Sequence, residues 1–315
     1  SALTMGRVSL GEMKRFSYSD RLSTGAVAAG GTLGILIPPS TGFVVYAILT
    51  QQSIGRLFLA GVVPGILLAT LFVLAITLVA WLRPEEAPRG PSVGWREKRA
   101  ATTGALPILA IILITIGGIY MGIFSPIEAA AVGAALALLF AVLGRTLSMA
   151  GFLKAVRDAV ATTATVMLIL IAAHIINPFI ALTRIPTVVG EGLTSLPLGP
   201  TGIMLVILAC YLVLGCFLEG LSMLVLTMPI FFPLVTSLGF DPIWFGVVVV
   251  ITLEMGLISP PVGVNVFIVK SVAPDVPLKE IFAGVAPFWL AMLVLVLLLV
   301  MFPDLALLLP DTMIG

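Results

Sequence analysis

The sequence predicts an all-α polytopic membrane protein with inverted repeats and two broken transmembrane helices. Three observations lead there. Apolar runs of membrane-crossing length recur along the chain, two proline pairs interrupt such runs at matching places, and basic residues gather on alternate loops. Of 315 residues, 60% are hydrophobic and 10% charged, against roughly 25% charged in an ordinary soluble domain. Mean hydropathy is +1.23. A soluble globule could not hide so much apolar surface, whereas a run of about 20 residues crosses a hydrocarbon core of about 30 Å.

Taken in chain order, Leu22–Gln51 is a long span interrupted at Pro38-Pro39. Leu57–Leu82, Thr103–Tyr120, Pro126–Leu143 and Ala161–Leu182 are uninterrupted spans. Thr201–Leu218 and Ser222–Leu238 are shorter arms around Glu219-Gly220-Leu221, short enough to lean towards a re-entrant hairpin over two full crossings. Ile243–Val269 is again interrupted, at Pro260-Pro261, and Ile281–Phe302 is the last span. The start of the Pro126 span carries its own signal. Ser125-Pro126-Ile127-Glu128 has the spacing of a capping box with proline at the first helical position.

Lysine and arginine orient the spans, because cytoplasmic loops keep positive charge. Arg7, Lys14, Arg15 and Arg21 form one cluster, and Arg83, Arg89, Arg96, Lys98 and Arg99 a second in the Pro/Gly-rich linker 83–101. Arg145, Lys154 and Arg157 form a third, Lys270 and Lys279 a fourth, and all four fall on one side. Arg56 and Arg184 remain for the other side, where Asp241, Asp304 and Asp311 are expected to lack basic company.

The two interrupted spans resemble each other. GTLGILIPPSTG (Gly31–Gly42) is followed by LAGVVPG (Leu59–Gly65), and TLEMGLISPPVG (Thr252–Gly263) by FAGVAPF (Phe282–Phe288). Gly34 matches Gly256, Pro38-Pro39 match Pro260-Pro261, and Gly61 and Pro64 match Gly284 and Pro287. Thr4-Met5 matches Thr227-Met228 further upstream, and every offset is 222 or 223. An even number of crossings lies between the two units, so they run antiparallel, as in many secondary transporters. Proline supplies no N–H and pushes its predecessor out of helical geometry. Backbone freed in this way is tolerated in a membrane only against protein or a cavity. Exposed carbonyls there can hold a cation, and the half-helix N-termini favour an anion.

Acidic residues at membrane depth are costly and usually functional. Glu219 and Glu254 have two readings: they line the gate or the solute path, or they bond backbone N–H groups that hold the broken segments. Asn265, Ser40, Thr41 and Ser259 flank the breaks. His174, the single histidine, is expected to bond a neighbouring helix. Cys210 and Cys216 have no ligand partners nearby, so neither a disulfide nor a metal site is expected. The chain lacks GxxxxGK[ST] and HExxH, so no ATP hydrolysis and no enzyme activity are expected of it. A net charge of +1 supplies no field for nucleic acid.

GAVAAGGTLGILIPPS (Gly25–Ser40), GRLFLAGVVPG (Gly55–Gly65), GGIYMGIFSPIEAAAVGA (Gly117–Ala134) and LEMGLISPPVGVNVF (Leu253–Phe267) resemble the large membrane (M) subunit of TRAP transporters, the tripartite ATP-independent periplasmic family. The resemblance runs the length of the chain and implies that the N-terminal part of that subunit is lacking here. It implies an elevator-type transporter of the bacterial inner (cytoplasmic) membrane, with re-entrant helical hairpins in its moving part. The function implied is sodium-coupled uptake of an organic anion of the C4-dicarboxylate, sialic acid or keto acid class. A periplasmic substrate-binding protein and a small membrane (Q) subunit are the implied partners. Sodium is the coupling ion, and no other cofactor or metal is implied.

Carried onto this sequence, the ion sites comprise Gly34, Ile37, Pro38, Ser40 and Thr41 with the first hairpin tip. The second set is Glu219, Gly220, Ser222, Gly256, Ser259, Pro260 and Gly263, and Glu254 and Asn265 are the candidates for substrate or gating roles. Residues 1–56 would form the first repeat of a transport domain and 57–200 the scaffold with linker 83–101. Residues 201–280 would form the second repeat, and 281–315 the closing helix. A stand-alone dicarboxylate or citrate-type carrier and a non-transporting membrane scaffold are the alternatives.

Overall fold

The computed structural model describes the backbone of residues 2–88, 90 and 94–313, and every side chain within them except those of residues 2–5, 7, 8, 97, 98, 100 and 101. Arg89, and the side chains of Arg7, Lys98, Thr4 and Met5, thus lie outside the described residues. The described residues form 14 α-helices. These are α1 (Ala2–Arg15), α2 (Asp20–Leu36), α3 (Thr41–Thr50), α4 (Ile54–Leu82), α5 (Trp95–Tyr120), α6 (Pro126–Leu143) and α7 (Met149–Leu182). Then follow α8 (Ile185–Thr194), α9 (Pro200–Gly215), α10 (Gly220–Ser237), α11 (Pro242–Gly256), α12 (Val264–Val272), α13 (Leu278–Met301) and α14 (Asp304–Asp311). Among the described residues six helices are long and apolar enough to cross a membrane, and α2 with α3, bent by 43° at their break, pass the same test together. The chain is a multi-pass membrane protein.

Short polar side chains set the helix starts. Ser19 accepts from the Leu22 amide at 3.1 Å, Ser148 from Gly151 at 3.0 Å, and Asp241 from both Ile243 and Trp244 at 2.7 and 3.0 Å. The box at α6 is complete: the Ser125 hydroxyl accepts from the Glu128 amide, and the Glu128 carboxylate accepts from the Ser125 amide at 2.8 Å. These contacts satisfy amides that have no intrahelical partner.

Three features differ from expectation. Helix α5 begins at Trp95, inside the linker, and α7 begins at Met149, a dozen residues before the apolar run. A helix does not end where its side chains become polar, and these first turns are exposed. Helices α8 and α14 lie in stretches read as loop; both are too short to register as spans, and they pack on α10 and on α4 and α11. His174 Nδ1 lies 2.9 Å from the Leu170 carbonyl oxygen of its own helix, so its partner is one turn back on α7 and not on a neighbouring helix.

The repeat is visible in which helix rests on which. Helix α1 packs on α2 and α12, while α10 packs on α11 and α3; α2 packs on α13, while α11 packs on α4. Exchanging α1–α4 with α10–α13 preserves every one of these pairs. Each half therefore lays its broken helix on elements of the other. At the centre stands α11, buried at every residue from Ile243 to Gly256, as its all-round apolar sequence requires. Where α2 crosses α13, Gly25 and Gly284 meet backbone to backbone, and a Cβ on either would fall on the main chain of the other helix. Small residues permit that approach between membrane helices.

Long-range bonds sort the two ends of the bundle. At one end the Arg21 guanidinium approaches the Ala283 carbonyl at 3.5 Å, the Ser19 amide donates to the Glu86 carbonyl at 3.0 Å, and Lys14 lies beside Val272–Val276. Three of the four basic clusters thus converge. At the other end Tyr46 donates to the Pro242 carbonyl, and Arg56 pairs with Asp311 at 2.9 Å. Asp311 was expected to stand without basic company; the short helix α14 folds back and carries it to Arg56.

Candidate functional site

Both breaks fall where the sequence puts its proline pairs, and the peptide bonds Pro38-Pro39 and Pro260-Pro261 are cis. Helix α2 ends at Leu36 and α3 restarts at Thr41, with the Ser40 hydroxyl capping the Phe43 amide at 3.5 Å. Helix α11 ends at Gly256 and α12 restarts at Val264 after Gly263, whose φ of +58° suits glycine. Proline removes the amides that would have closed the last helical turns. Among the described residues, no hydrogen bond reaches the carbonyl oxygens of residues 34–39 or of residues 258–262. These two strips of unpaired carbonyls are exposed in part, at Gly34 and Pro39 and at Pro260–Val262. Oxygen ligands of this kind suit a hard cation.

The breaks are otherwise dissimilar. At the first, the amides of Thr41 and Gly42 donate to nothing among the described residues. At the second, the Asn265 amide is tied to the Leu257 carbonyl at 3.0 Å, and its side-chain Nδ2 donates to the Ala28 carbonyl of α2 at 3.4 Å. Ser259 is satisfied twice: its hydroxyl donates to Met255 O at 2.6 Å and accepts from Trp289 Nε1 at 2.9 Å. The second break is braced by Asn265 and Ser259, although its Val262, Gly263 and Val264 amides, like those of Thr41 and Gly42, donate to nothing among the described residues.

The α9–α10 turn docks on the second break. Gly215 lies on Gly256 so closely that a Cβ at Gly256 would stand 2.6 Å from the Gly215 carbonyl oxygen. The two arms are joined by Tyr211 and Thr227, whose hydroxyls lie 2.7 Å apart. This hairpin therefore turns at the level of the break, part-way along α11 and α12. Glu219 caps α10, accepting from the Ser222 amide at 3.0 Å and its hydroxyl at 3.3 Å, and remains exposed. Glu254 is 4% exposed, and its Oε2 is buried without a hydrogen-bond partner, so that oxygen braces no backbone amide among the described residues.

Of the residues picked from sequence, Gly220, Ser222, Glu219, Gly256, Ser259, Pro260 and Gly263 sit at the second break and the hairpin turn, with Glu254 and Asn265 at its edges. Gly34, Ile37, Pro38, Ser40 and Thr41 form the first break, apart from them. The partner imagined for that group, the tip of the first hairpin, lies outside the described residues.

Two cavities open on the breaks. One, of about 450 Å³, lies between Pro39, Ser40 and Thr41 on one side and Ile127, Thr162, Thr163 and Met167 of α6 and α7 on the other. The other, of about 460 Å³, lies between Cys216, Ser259, Pro260 and Trp289. Thr162, Thr163, Cys216 and Trp289 were not picked out from sequence. For the threonines a signal existed, the hydroxyl-rich Ala161-Thr162-Thr163-Ala164-Thr165 at the head of an apolar run.

The family model described as the tripartite ATP-independent periplasmic transporter, DctM component, matches residues 1–305. The C4-dicarboxylate TRAP transporter large permease protein DctM of Pseudomonas aeruginosa is 36% identical over 98% of this chain and 71% of its own length. The sialic acid TRAP transporter large permease protein SiaM of Vibrio cholerae is 32% identical over 99% and 72%. The ectoine TRAP transporter large permease protein TeaC of Halomonas elongata is 30% identical over 95% and 70%. These relatives are named as transport permeases and not as enzymes. With its helical membrane bundle, its matched breaks and this similarity over nearly all its length, the chain belongs to the DctM family, the large permease component of TRAP transporters.

Proposed function

We propose that this chain is the permease through which a small carboxylate-bearing solute crosses the inner membrane, driven by sodium. The observation that carries this reading is the pair of carbonyl strips left unpaired at the two breaks. Exposed backbone oxygens inside a hydrocarbon layer are costly unless something uses them. A sodium ion at each break is the occupant that the oxygens suit. At the second break the hairpin turn at Gly215–Gly220 closes over the strip, with the Glu254 carboxylate close by.

The solute is assigned to the first break. Its free Thr41 and Gly42 amides head α3 and Thr41 lines the 450 Å³ cavity, and a helix N-terminus with open donors favours an anionic group. Thr162 and Thr163 of α7 supply hydroxyls from the opposite wall. C4-dicarboxylates, sialic acid and ectoine, for which the relatives are named, share a carboxylate group, ectoine being zwitterionic. An organic anion of the dicarboxylate, sialic acid or keto acid class fits that pattern. The cavity separates the first break from α6 and α7, and this supports an elevator movement of the repeats (1–56 and 201–280) against a scaffold within 57–200. A periplasmic binding protein that delivers the solute and a small membrane subunit are the partners in this reading.

The test is solute uptake by proteoliposomes holding the complete permease, with the cognate binding protein and an imposed sodium gradient. Uptake should need both. Replacing both proline pairs by Ala-Ala should abolish it while the protein still assembles. Uptake without any binding protein would instead make the chain a stand-alone carrier, and undiminished uptake by the Ala-Ala variant would overturn the role given to the breaks.

A further inference from the structure

A third cavity, of about 350 Å³, lies away from both breaks, at the end of the bundle where the basic clusters converge. Its walls are the last two turns of α4 and the first three of α13. Its head is polar: Arg21 and Arg83, with Glu86 between Arg83 and Ser19. Its stem is apolar, running from Leu82 back to Ala75 on α4 and ending beside Leu290 on α13. The stem descends roughly 10 Å, at 1.5 Å per helical residue. Leu78, Leu82 and Leu290 are all more than half exposed along it. Trp81, 76% exposed on the same turn of α4, has the amphipathic ring favoured at headgroup level.

The charges at the head do not cancel. Glu86 holds Arg83 at 2.9 Å, and that one carboxylate serves one guanidinium. Arg21 has no ion-pair partner among the described residues, only the long 3.5 Å approach to the Ala283 carbonyl oxygen. Asp20, next to it in sequence, lines a different cavity, towards α1 and α12. Glu85 also acts on Arg83 but does not line the groove; the lining itself carries two guanidinium groups to one carboxylate, above an apolar channel open to the bilayer side.

We infer that this groove is a binding site for an anionic phospholipid of the cytoplasmic leaflet. The headgroup phosphate rests on Arg21 and Arg83, and one acyl chain lies along the stem between α4 and α13. A basic pocket between helices on the cytoplasmic side matches such a headgroup in charge, and the exposed leucines match the chain. Helices α4 and α13, which exchange under the repeat, pack on each other here, so the lipid bridges two matched helices beside the Gly25–Gly284 crossing. It is a ligand of the repeat junction and not of the solute path.

The test is thermal unfolding of the purified, delipidated permease in mild detergent. Phosphatidylglycerol, phosphatidylcholine of the same chains and soluble glycerol phosphate are added separately. Phosphatidylglycerol should raise the midpoint by about 3 °C at saturation, and the other two should not. Arg21→Gln with Arg83→Gln should abolish the shift. Leu78→Trp, which fills the stem and leaves the head intact, should abolish it too and keeps the test valid if the arginine variant fails to fold. An equal shift with phosphatidylcholine would reduce the groove to ordinary lipid contact. A shift with glycerol phosphate alone would mean an anion site without a lipid, and a phosphatidylglycerol shift undiminished in the folded variants would refute the assignment.

Discussion

Replacing Gly256 by alanine places one methyl group at the point where the α9–α10 turn meets the second break. That methyl would stand 2.6 Å from the Gly215 carbonyl oxygen and 2.7 Å from its carbonyl carbon and Cα. Ordinary contact begins near 3.4 Å, so the turn must retreat by about 0.8 Å. The obstruction is main chain and has no rotamer through which to yield. Overpacking of this kind costs about 1–3 kcal/mol. If the cost falls on the docked hairpin, and the docked hairpin is what holds sodium, sodium affinity should drop roughly 5- to 150-fold.

The assay is the sodium dependence of solute uptake in cells carrying the complete transporter, with the amount of permease in the membrane measured alongside. Gly256→Ala should shift half-saturation to higher sodium at near-normal protein level. The reciprocal Gly215→Ala should do less, since its Cβ would lie 3.2 Å from the Gly256 Cα. Gly30→Ala on α2 meets open space and should behave as wild type. An unchanged sodium half-saturation in Gly256→Ala, or a larger effect from Gly215→Ala, would refute the reasoning.

Two further outcomes are expected. In a Cys210→Ser background, Cys216 lies half-buried in the cavity between the hairpin turn and the second break; sodium should slow its labelling by a membrane-permeant maleimide, followed by mass spectrometry, whereas a sodium-independent rate would mean that the turn does not close over the break. Ser125→Ala removes the cap of α6 and should cost about 1 kcal/mol, lowering the thermal midpoint by about 1–2 °C, with uptake per folded molecule unchanged.

Much of this architecture was legible in the residues because its causes are local. A proline pair withdraws two amides wherever it stands, so both breaks could be placed from sequence. The Ser125–Glu128 box marks the α6 start for the same reason, and the apolar runs locate α4, α6 and α13 to within a few residues. What escaped depends on distance in sequence or on the wrong signal. Hydropathy registers lipid, not hydrogen bonding, so the polar first turns of α5 and α7 went unseen. Nothing near Asp311 announces Arg56, 255 residues away. The docking of Gly215 on Gly256 and the facing of Thr162 with Thr41 are products of packing between helices remote in the chain. The sequence could name Glu219 and Glu254 as a pair, but only burial separates the exposed helix cap from the enclosed carboxylate.

The crossing of α2 and α13 bears on how such a molecule can move. A seam made of main chain has no side chains to reshuffle, so the two halves that meet there have a single fit to one another instead of a choice of two. In the proposed elevator cycle, displacement would be taken up elsewhere, along surfaces lined by threonine, methionine and void. The wall that α6 and α7 present to Pro39 and Thr41 is such a surface, and spin-label distances across it should change with solute while those across Gly25 and Gly284 hold still.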